Sequence, residues 1–369
     1  MKRPPFTIGI EEEYQTVDPR TYDLRSHIHT ELMSQGQRQL KERVKAEMHQ
    51  SVVEVGTGVC ANIGEAAHDL MHLRRQMLEL TEAHGLKMVS GATHPFADWR
   101  SQDIHPDERY TRVVEDMQIV ARANLIFGLH VHIGIEDPEV TIQLMNQIRY
   151  FLPHLLALSS NSPFWIGMNT GLKSYRCKVF DRFPRTNIPD EFSSYGEFDN
   201  YVNLLVRTGC IDNGKKIWWD VRPHPVFGTL EIRVCDIPMR VEETLAIAAL
   251  IQATVAKLWK LLSRNQSWRN YSRALIMENK WRAARYGIDD KMIDFGIEAE
   301  VPTKHLIYEY LDFVDDVLDE LGSREAVSHI RWILDHGTGA DRQLRAYAAS
   351  GGDMKALVEF MHHETKAGL

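Results

Sequence analysis

Cysteine is scarce in this sequence, and the few cysteines lack the spacing of a metal or redox site. Four occur among 369 residues, with no C-x-x-C pair and no zinc-type spacing: Cys60, Cys177, Cys210 and Cys235. Metal centres and disulfide frameworks built on cysteine need such spacing. We therefore expect reduced thiols that fill space in the core, not ligands or nucleophiles.

The sequence also offers no targeting segment, and we expect no apolar run long enough to cross a bilayer. From Met1 the chain passes through two prolines into a strand-like stretch, without an apolar signal region. A spanning helix needs about 20 consecutive, mostly apolar residues. These absences predict a cytoplasmic protein that does not bind a membrane.

Basic charge is in deficit, since 43 Lys and Arg face 51 Asp and Glu and the formal net charge is -8. A protein that tracks a nucleic-acid backbone needs a basic face, so no nucleic-acid partner is expected. Neither a Walker sequence, G-x-x-x-x-G-K-[ST], nor the glycine loop of protein kinases occurs. A nucleotide would therefore have to be held in another way, such as through a metal ion.

Three successive glutamates stand beside apolar residues in a strand-like stretch, Thr7 to Gln15. Side chains alternate between the two faces of a strand, so Glu11 and Glu13 share one face and the isoleucines share the other. Such a run needs a positive partner to be stable. The alternative is an exposed edge strand whose glutamates are solvated.

Two later segments repeat this one-sided chemistry, Gly128 to Gly134 and Gly228 to Val234. In each, ionisable side chains two residues apart alternate with apolar ones: His130 and His132, then Glu231 and Arg233. We therefore expect the three strands to lie in one sheet whose polar face is a working site.

A further strand is predicted between Val44 and Val55, and this segment carries Glu47 and Glu54. Because the two glutamates are an odd number of residues apart, an unbroken strand would point them to opposite faces. Both can line one pocket only where a bulge or a strand end intervenes.

Length and composition are those of an ordinary globular protein with one large or two modest domains. Strands predominate in residues 1–239, whereas helix follows helix through residues 240–369. Because no repeat or low-complexity linker separates the two parts, we predict a single α+β domain over residues 1–369.

Apolar spacing, capping residues and prolines predict the helices. In the first part they cover Gly64 to His84, Asp107 to Ala123 and Asp137 to Leu158, the last with a kink or break near Pro153. In the second part they are Val241 to Ser263, Ser267 to Tyr286, Lys304 to Leu321, Arg324 to Asp335, Asp341 to Ala349 and Asp353 to Thr365.

Residues 161–189 differ from the rest in being rich in proline, glycine, aromatic and basic residues. A long loop in a compact domain is usually functional, and this one is strongly basic in an acidic protein. RNA binding would need a basic face beyond it, which the sequence does not supply. We expect a lid over an anionic substrate such as a polyphosphate, with these cationic residues: Lys173, Arg176, Lys178, Arg182 and Arg185.

Glutamates gathered round one cavity repel one another and raise each other's pKa unless cations neutralise them. Hard divalent cations suit carboxylates and phosphate oxygens, so Mg²⁺ is the expected metal, and Mn²⁺ is compatible with an added imidazole. Zn²⁺ is less suited, since no H-E-x-x-H occurs. Because Mg²⁺ leaves coordination positions to substrate phosphates, a nucleoside triphosphate is the expected co-substrate.

Arg222 and Arg233 carry planar, permanent charges that suit a phosphoryl group in transfer. The alternative for Arg233 is a cross-strand salt bridge to a neighbouring glutamate. For His130 it is a buried histidine with satisfied hydrogen bonds. His132 is open to three roles, as a metal ligand, a nucleotide contact or a support for other ligands.

Several of these features form a familiar combination. They are G-x-E-x-E from Gly9, Glu54, H-x-H from His130, S-P-F-W from Ser162 with Thr170-Gly171 and Arg176, E-x-R from Glu231, and E-N-K-W-R-A from Glu278. Over nearly the whole chain, the sequence resembles the carboxylate-amine ligases of the bacterial type 2 glutamate-cysteine ligase family. The resemblance implies a fold similar to glutamine synthetase and the guanidino kinases, with a curved antiparallel sheet forming a funnel and helices on its outer face.

The resemblance also implies a mechanism, in which ATP phosphorylates a carboxylate and an amine attacks the acyl phosphate. The family's metal-binding positions match Glu11, Glu13, Glu54, His130 and Glu231, with Glu47 as a further candidate. Arg233 would steady the phosphoryl group, with help from Arg222. Arg176 and Arg182 would contact phosphate or the substrate carboxylate, and we group Lys173 and His132 with them as nucleotide-binding candidates. Arg342, in a family-like segment, either reaches the site or lies on a helix surface.

Glutamate is the expected acid and cysteine the expected amine, although no residue marks a cysteine pocket and another amino acid or amine is open. A phosphotransferase that stops at the phosphorylated product is one alternative. A non-catalytic nucleotide sensor on the same fold is another. A homodimer is suggested by the resemblance alone.

Overall fold

A computed structural model describes residues 2–26 and 29–369. The β-strands are β1 (Ile8–Val17), β2 (Val44–Ala46), β3 (Val52–Gly56), β4 (Lys87–Val89), β5 (Leu129–Gly134), β6 (Phe164–Trp165), β7 (Met168–Asn169), β8 (Thr186–Asn187), β9 (Trp218–Trp219), β10 (Val221–Pro223), β11 (Thr229–Ile232), β12 (Lys291–Asp294) and β13 (Ala299–Pro302). The α-helices are α1 (His29–Leu40), α2 (Ile63–Ala83), α3 (Glu108–Met117), α4 (Ile119–Arg122), α5 (Pro138–Ile148), α6 (Leu152–Ser159), α7 (Arg176–Phe180), α8 (Tyr195–Arg207), α9 (Val241–Leu262), α10 (Arg273–Tyr286), α11 (Thr303–Leu321), α12 (Arg324–Ser328), α13 (Ile330–His336), α14 (Gly339–Ala349) and α15 (Met354–Lys366).

The centre of the fold is a sheet in the order β10-β11-β5-β1-β3-β2, with β4 also paired to β1. All of these strand pairs are antiparallel. The prediction that the three polar strands share one sheet is confirmed, because β5 pairs with β1 on one side and with β11 on the other. Helices combined with an antiparallel sheet agree with the predicted α+β class.

The alternation in β1 explains which face of the sheet is buried. Ile8 and Ile10 are almost fully buried, whereas Glu11 and Glu13 lie half-buried on the other face. Helices α2 and α9 contribute to the hydrophobic core that covers the isoleucines. Burial stabilises such a face by about 25 cal/mol per Å² of apolar surface removed from water.

The middle glutamate of the N-terminal run faces the core, where a buried arginine is its positive partner. Glu12 accepts hydrogen bonds from Arg74 of α2 at 2.5 and 2.8 Å and from Thr244 of α9 at 2.6 Å. Glu12 and Arg74 are both fully buried. The cation that the acidic run requires therefore exists on the core side, at a position that strand periodicity did not reveal.

We expect Arg74→Ala to lower the free energy of unfolding by about 3–5 kcal/mol, because it leaves the buried carboxylate of Glu12 without a charge partner. Urea unfolding followed by circular dichroism measures the loss. The exposed neighbour Arg75 provides the control, and Arg75→Ala should change stability by less than about 0.5 kcal/mol. Equal effects of the two changes would show that the buried pair contributes nothing specific.

The segment from Val44 to Val55 is not the single strand predicted, because β2 and β3 form an antiparallel hairpin. The chain leaves β2 after Ala46 and enters β3 at Val52. Glu47 thus follows a strand end, whereas Glu54 lies within a strand. This is the interruption that the two glutamates need in order to line one pocket.

The helices follow the predictions with breaks that apolar spacing did not show. The helix predicted over Asp107 to Ala123 is divided into α3 and α4 at Gln118, where φ is 52°. The break predicted near Pro153 is confirmed, since a 3-10 turn at Arg149–Phe151 joins α5 to α6. Residues 324–335 hold two helices, α12 and α13. The second part of the chain also contains a hairpin, β12 and β13, so the prediction that it is purely helical is wrong.

Residues 161–189 form short elements and not the long loop predicted. They contain the β6–β7 hairpin, α7 and β8. The buried carboxylate of Asp236 anchors the segment, since it accepts hydrogen bonds from the hydroxyls of Ser162 and Ser174 at 2.7 and 2.9 Å. Its backbone therefore has a fixed frame that proline and glycine content did not indicate.

The prediction that no segment is long and apolar enough to cross a membrane is wrong. In the part of the chain that the structure describes, the 22-residue helix α9 is long enough and apolar enough to cross a membrane. Most of this helix is buried inside the protein, where it contacts α2, α5, α11 and β5. Helix α9 therefore lies in the protein core.

Candidate active site

The polar face of the sheet gathers the acidic and imidazole side chains that the sequence pattern selected. The strands contribute Glu11 and Glu13 from β1, Glu54 from β3, His130 and His132 from β5, and Glu231 from β11. Strand register brings them together, because Glu13 lies opposite Glu54 and Glu11 lies opposite His130. The site is therefore built on paired strands, whose positions the backbone hydrogen bonds fix.

Two adjoining cavities open over this face. The larger, which we call the acidic cavity, has a volume of about 400 Å³ and is lined by Glu11, Glu13, Glu47, Glu54, His130 and Glu231, together with Lys45, Arg109, Lys215, Lys216, Arg222 and Arg233. The smaller, which we call the aromatic cavity, has a volume of about 160 Å³ and is lined by Met48, Val113, Ile126, Phe180, Phe183 and Trp218. The two cavities share seven lining residues, so a ligand in one adjoins a ligand in the other: Glu13, Glu47, Tyr110, Val113, His130, Trp218 and Arg233.

Donor atoms in the acidic cavity lie close enough together to hold cations. Three groups have carboxylate or imidazole atoms within 4.8 Å of one another: Glu11, Glu54 and His130; Glu11, His132 and Glu231; Glu13, Glu47 and Glu54. None of the four cysteines, all of which the structure describes, lines either cavity. A donor set dominated by carboxylate oxygens fits Mg²⁺ or Mn²⁺.

Burial and like charge raise the pKa of three of these carboxyl groups. Burial raises the pKa of Glu54 to about 8, and the charges of Glu11 and Glu47 add to the effect. Burial and the charge of Glu54 raise the pKa of Glu13 to about 7. The pKa of Glu47 is raised to about 7 by burial and by the charge of Glu13. A bound cation would relieve this repulsion.

Glu11 and Glu231 behave in the opposite way because positive or hydrogen-bonding groups surround them. Burial acts to raise the pKa of Glu11, but hydrogen bonds from the two histidines of β5 outweigh it and hold the pKa below its usual range. At Glu231 the charges of Arg233 and Arg222 outweigh burial, so its pKa lies well below the usual range. Burial, together with the charge of Arg233, lowers the pKa of His130 to about 4, which leaves the ring neutral and able to bind a metal.

We expect the metal-free protein to lose stability between about pH 6.5 and pH 8.5. The raised pKa values of Glu13, Glu47 and Glu54 mean that the folded state holds protons that the unfolded state, titrating near 4.5, has already released. The stability contributed by these groups is present below pH 4.5 and is lost as the pH rises through 7 to 8. Buried histidines such as His130, with lowered pKa values, act in the opposite direction only below pH 6.5.

Thermal melts across this range test the expectation. The melting temperature should fall as the pH rises, and Mg²⁺ should raise it more near the upper end of the range than near the lower end. A melting temperature that changes with neither pH nor Mg²⁺ would contradict the prediction that these clustered carboxyl groups ionise with raised pKa values and bind a cation.

Lys45 is a candidate that the sequence pattern missed. It lies opposite Glu54 in the β2–β3 hairpin, and its Nζ donates to Glu54 at 2.8 Å and to Glu11 at 3.2 Å. Lys45 is thus the cation on the polar side of the acidic run. Its signal in the sequence is a cross-strand pair, which becomes visible only once the break between β2 and β3 is known.

Both predicted catalytic arginines contact Glu231. Arg222 lies directly opposite it, and its Nε donates to the carboxylate at 2.6 Å. Arg233 pairs with the same carboxylate, so the salt bridge considered as its alternative is present. The pair does not use the whole guanidinium, because Arg233 Nε has no hydrogen-bond partner among the described residues. Arg233 also lines both cavities, so its side chain adjoins a ligand bound in either.

Two of the four nucleotide-binding candidates reach the site. His132 Nε2 lies 3.5 Å from Glu11 and 4.0 Å from Glu231. Arg176, the first residue of α7, is buried and lines the aromatic cavity. A side chain at Gly128 would collide with the Arg176 guanidinium, which explains a glycine at the start of the histidine strand.

The other two candidates do not reach the site. Lys173 pairs with Asp341 and Asp289, because its backbone N–H bonds to Ala284 of α10 at 2.8 Å and turns it away. Arg182 is exposed and lines neither cavity. The structure therefore places neither Lys173 nor Arg182 at the two cavities, and their assignment to the nucleotide stays a prediction.

Other residues of the sequence analysis lie away from both cavities. Arg342 pairs with Glu243 of α9 at 2.7 Å, in a buried contact between helices. The four cysteines are free, as predicted. Three of them are buried, but Cys210 is exposed, so the expectation of a packing role fails there.

Known proteins are similar to this chain over almost its whole length. The sequence model of glutamate-cysteine ligase family 2 matches residues 7–360. A protein of Solibacter usitatus with the provisional name glutamate-cysteine ligase 2 is 65% identical over 367 residues, covering 100% of this chain and 95% of the relative. One of Herpetosiphon aurantiacus with the same provisional name is 55% identical over 365 residues, covering 99% of this chain and 94% of the relative.

Solved structures show the same fold at low sequence identity. The glutamate-cysteine ligase of Francisella tularensis, crystallised in complex with AMP, has a TM-score of 0.71 at 13% identity, covering 100% of this chain and 90% of that one. A bifunctional glutathione synthetase from Pasteurella multocida has a TM-score of 0.69 at 14% identity, covering 98% of this chain and 52% of that one. With this fold and a family match from residue 7 to residue 360, the chain belongs to glutamate-cysteine ligase family 2, a family of ligase enzymes.

Proposed function

We propose that this protein is an ATP- and Mg²⁺-dependent ligase that joins a carboxylate to the amino group of an amino acid. Glutamate is the proposed acid, and cysteine is one proposed acceptor. The observation that supports this most is a shared sheet face, on which carboxylate-rich donor groups adjoin Arg222 and Arg233. Carboxylates suit metal-bound phosphates, and guanidinium groups stabilise a phosphoryl group in transfer. An acid and an amine do not condense in neutral water, so the reaction has to be coupled to ATP.

In this proposal the carboxylates of the polar face hold Mg²⁺, or Mn²⁺ in its place. The proposed ligands are Glu11, Glu13, Glu54, His130 and Glu231, with Glu47 as a further one. Bound Mg²⁺ would draw negative charge from the phosphates of ATP. Lys45 would then be displaced from Glu11 and Glu54, and its ammonium would be available to a substrate oxygen.

In this proposal, Arg222 and Arg233 act on the phosphoryl group that is transferred. Arg233, assisted by Arg222, would stabilise the γ-phosphoryl group as it passes from ATP to an oxygen of the substrate carboxylate, with ADP as the leaving group. The amine then attacks the acyl carbon of the resulting acyl phosphate. Phosphate leaves with that carboxylate oxygen, and the amine loses a proton as the amide forms. His132 would keep Glu11 and Glu231 in position on either side of it.

ADP release by the purified protein tests this function. ATP, Mg²⁺ and glutamate are present, amino acids and amines including cysteine are added one at a time, and the product mass is determined. We expect release that depends on the amine and a product that combines acid and amine. ADP release at the same rate with and without an amine would favour a phosphotransferase or hydrolysis of the acyl phosphate by water. No release with any mixture would favour a nucleotide sensor.

We also propose that residues 1–369 work as one catalytic unit, in the cytoplasm and as a homodimer, with the sheet curved into a funnel as in glutamine synthetase and the guanidino kinases. The main hydrophobic core supports the first point, since it includes both Ile10 of the first part and Leu250 of the second. Small-angle scattering and sedimentation of the whole protein measure shape and oligomeric state together.

A further inference from the structure

The aromatic cavity points to the acceptor. We propose that it binds the amine substrate and that this substrate is an α-amino acid with an apolar side chain larger than that of cysteine. The inference rests on the proposed ligase function and narrows its acceptor. It depends on three features of the cavity, which are its apolar wall, the buried guanidinium of Arg176 and the buried amide oxygen of Asn124.

The wall of the cavity is apolar and the space is larger than a thiol needs. Its lining includes Val113, Ile126, Phe180, Phe183 and Trp218. The volume of about 160 Å³ compares with an engineered cavity of about 150 Å³ that binds benzene. A cysteine side chain has two heavy atoms and would leave much of this space unfilled. A branched aliphatic or aromatic side chain would fill it and remove more apolar surface from water.

The lining of the cavity also includes a buried arginine with an N–H that lacks a partner. Arg176 is 4% exposed, and its Nε has no hydrogen-bond partner among the described residues. Within the described ranges, its two Nη atoms donate hydrogen bonds only to the carbonyls of Arg233 and Val234, at 3.3 and 3.4 Å. A buried, unpaired N–H is costly, and the carboxylate of the amine substrate would pair with the Arg176 guanidinium, while Arg233 remains the group that acts on the phosphoryl.

Acceptors for an ammonium group line the same cavity. Asn124 contributes a buried Oδ1 without a hydrogen-bond partner among the described residues, and the carboxylates of Glu13 and Glu47, assigned above to the metal, add negative charge to the same cavity. The Arg176 guanidinium, the Asn124 amide oxygen and the apolar wall are together complementary to the carboxylate, the ammonium and the side chain of an apolar amino acid. Glutamate does not suit this wall, because its side-chain carboxylate would lie unpaired against Phe180 and Phe183.

Binding of an amino-acid series to the full-length protein tests the inference. Calorimetric titrations with glycine, alanine, cysteine, valine, leucine and phenylalanine are made with Mg²⁺ and a non-hydrolysable ATP analogue present. We expect leucine to bind at least about tenfold more tightly than cysteine, and cysteine more tightly than glycine. Equal affinities across the series would overturn the proposal.

Two substitutions in the wall give opposite expected results. Val113→Phe fills the cavity and should weaken leucine binding at least about tenfold while glycine binding is kept. Phe183→Leu enlarges the cavity and should strengthen phenylalanine binding relative to valine. Val120→Phe is the matched control, because Val120 packs in the same small apolar cluster but does not line the cavity. A loss of leucine and glycine binding by the same factor in Val113→Phe would overturn the assignment.

The ADP-release assay separates this inference from the ligase function. Amine-dependent release together with size-independent binding would leave the ligase in place and overturn the cavity assignment. Size-dependent binding that Val113→Phe removes, without release for any amine, would support the cavity assignment and contradict the ligase.

Discussion

Glu54→Gln is expected to lower turnover by at least about 100-fold, because it removes a carboxylate that two of the three donor groups share. Loss of a residue that only supports a metal ligand costs about 10–100-fold, so loss of a direct ligand should cost at least as much. Amine-dependent ADP release at saturating substrates measures the effect.

Stability measurements separate this effect from unfolding. Without metal at pH 8, the melting temperature of Glu54→Gln should be no lower than that of the wild type. The substitution removes a buried carboxyl group whose pKa is raised by burial and by the charges of neighbouring glutamates, so it relieves repulsion in the folded state. The rise in melting temperature on adding Mg²⁺ should shrink. Glu115→Gln, at an exposed position of α3, is the control and should change neither property. Near-normal turnover in Glu54→Gln would show that the metal assignment is wrong.

Arg233→Lys is expected to lower turnover by on the order of 100-fold or more. An ammonium can still pair with Glu231, but it cannot supply the second N–H that Arg233 Nε presents without a partner. The Mg²⁺-dependent rise in melting temperature should be kept, because the carboxylates are intact. This combination distinguishes a group acting on the phosphoryl from one that holds the metal.

Because Arg233 forms a salt bridge with Glu231, normal turnover in Arg233→Lys would also be informative. If Arg233 served only to neutralise Glu231, lysine would replace it and turnover would be normal. Arg207→Lys, at an exposed position of α8, controls for the substitution itself and should leave turnover unchanged.

The polar face could be predicted because a strand has a period of two. Glu11, His130 and Glu231 each stand two residues from another ionisable side chain, and that spacing fixes a shared face without knowledge of the tertiary fold. Their pairing in one sheet followed from the similarity of the three patterns. The family resemblance then supplied an antiparallel sheet with helices, which the fold confirms.

The partners of these strands could not be predicted in the same way. Arg74 meets Glu12 only because α2 crosses the core face of β1, 62 residues away in sequence. Lys45 meets Glu54 because the chain turns between β2 and β3, a break that no glycine or proline marks. Contacts of this kind depend on tertiary packing, which local periodicity does not contain.

The prediction that the cations of residues 161–189 act together failed for a related reason. Charge and proline content suggested that these cations act together, but each side chain is oriented by its own local contact. Arg176 is turned inward at the start of α7, whereas Lys173 is held by hydrogen bonds to α10 and pairs with Asp341. Composition identified a special segment without indicating which of its residues face the site.

Transfer of oxygen-18 tests the central claim most directly. Glutamate labelled in its carboxylates is incubated with ATP, Mg²⁺, the full-length protein and the amine that gives the fastest ADP release, and the released phosphate is analysed by mass spectrometry. An acyl phosphate intermediate predicts one labelled oxygen in each phosphate formed with the product. Phosphate without label, at a rate matching product formation, would contradict activation of the carboxylate by phosphorylation.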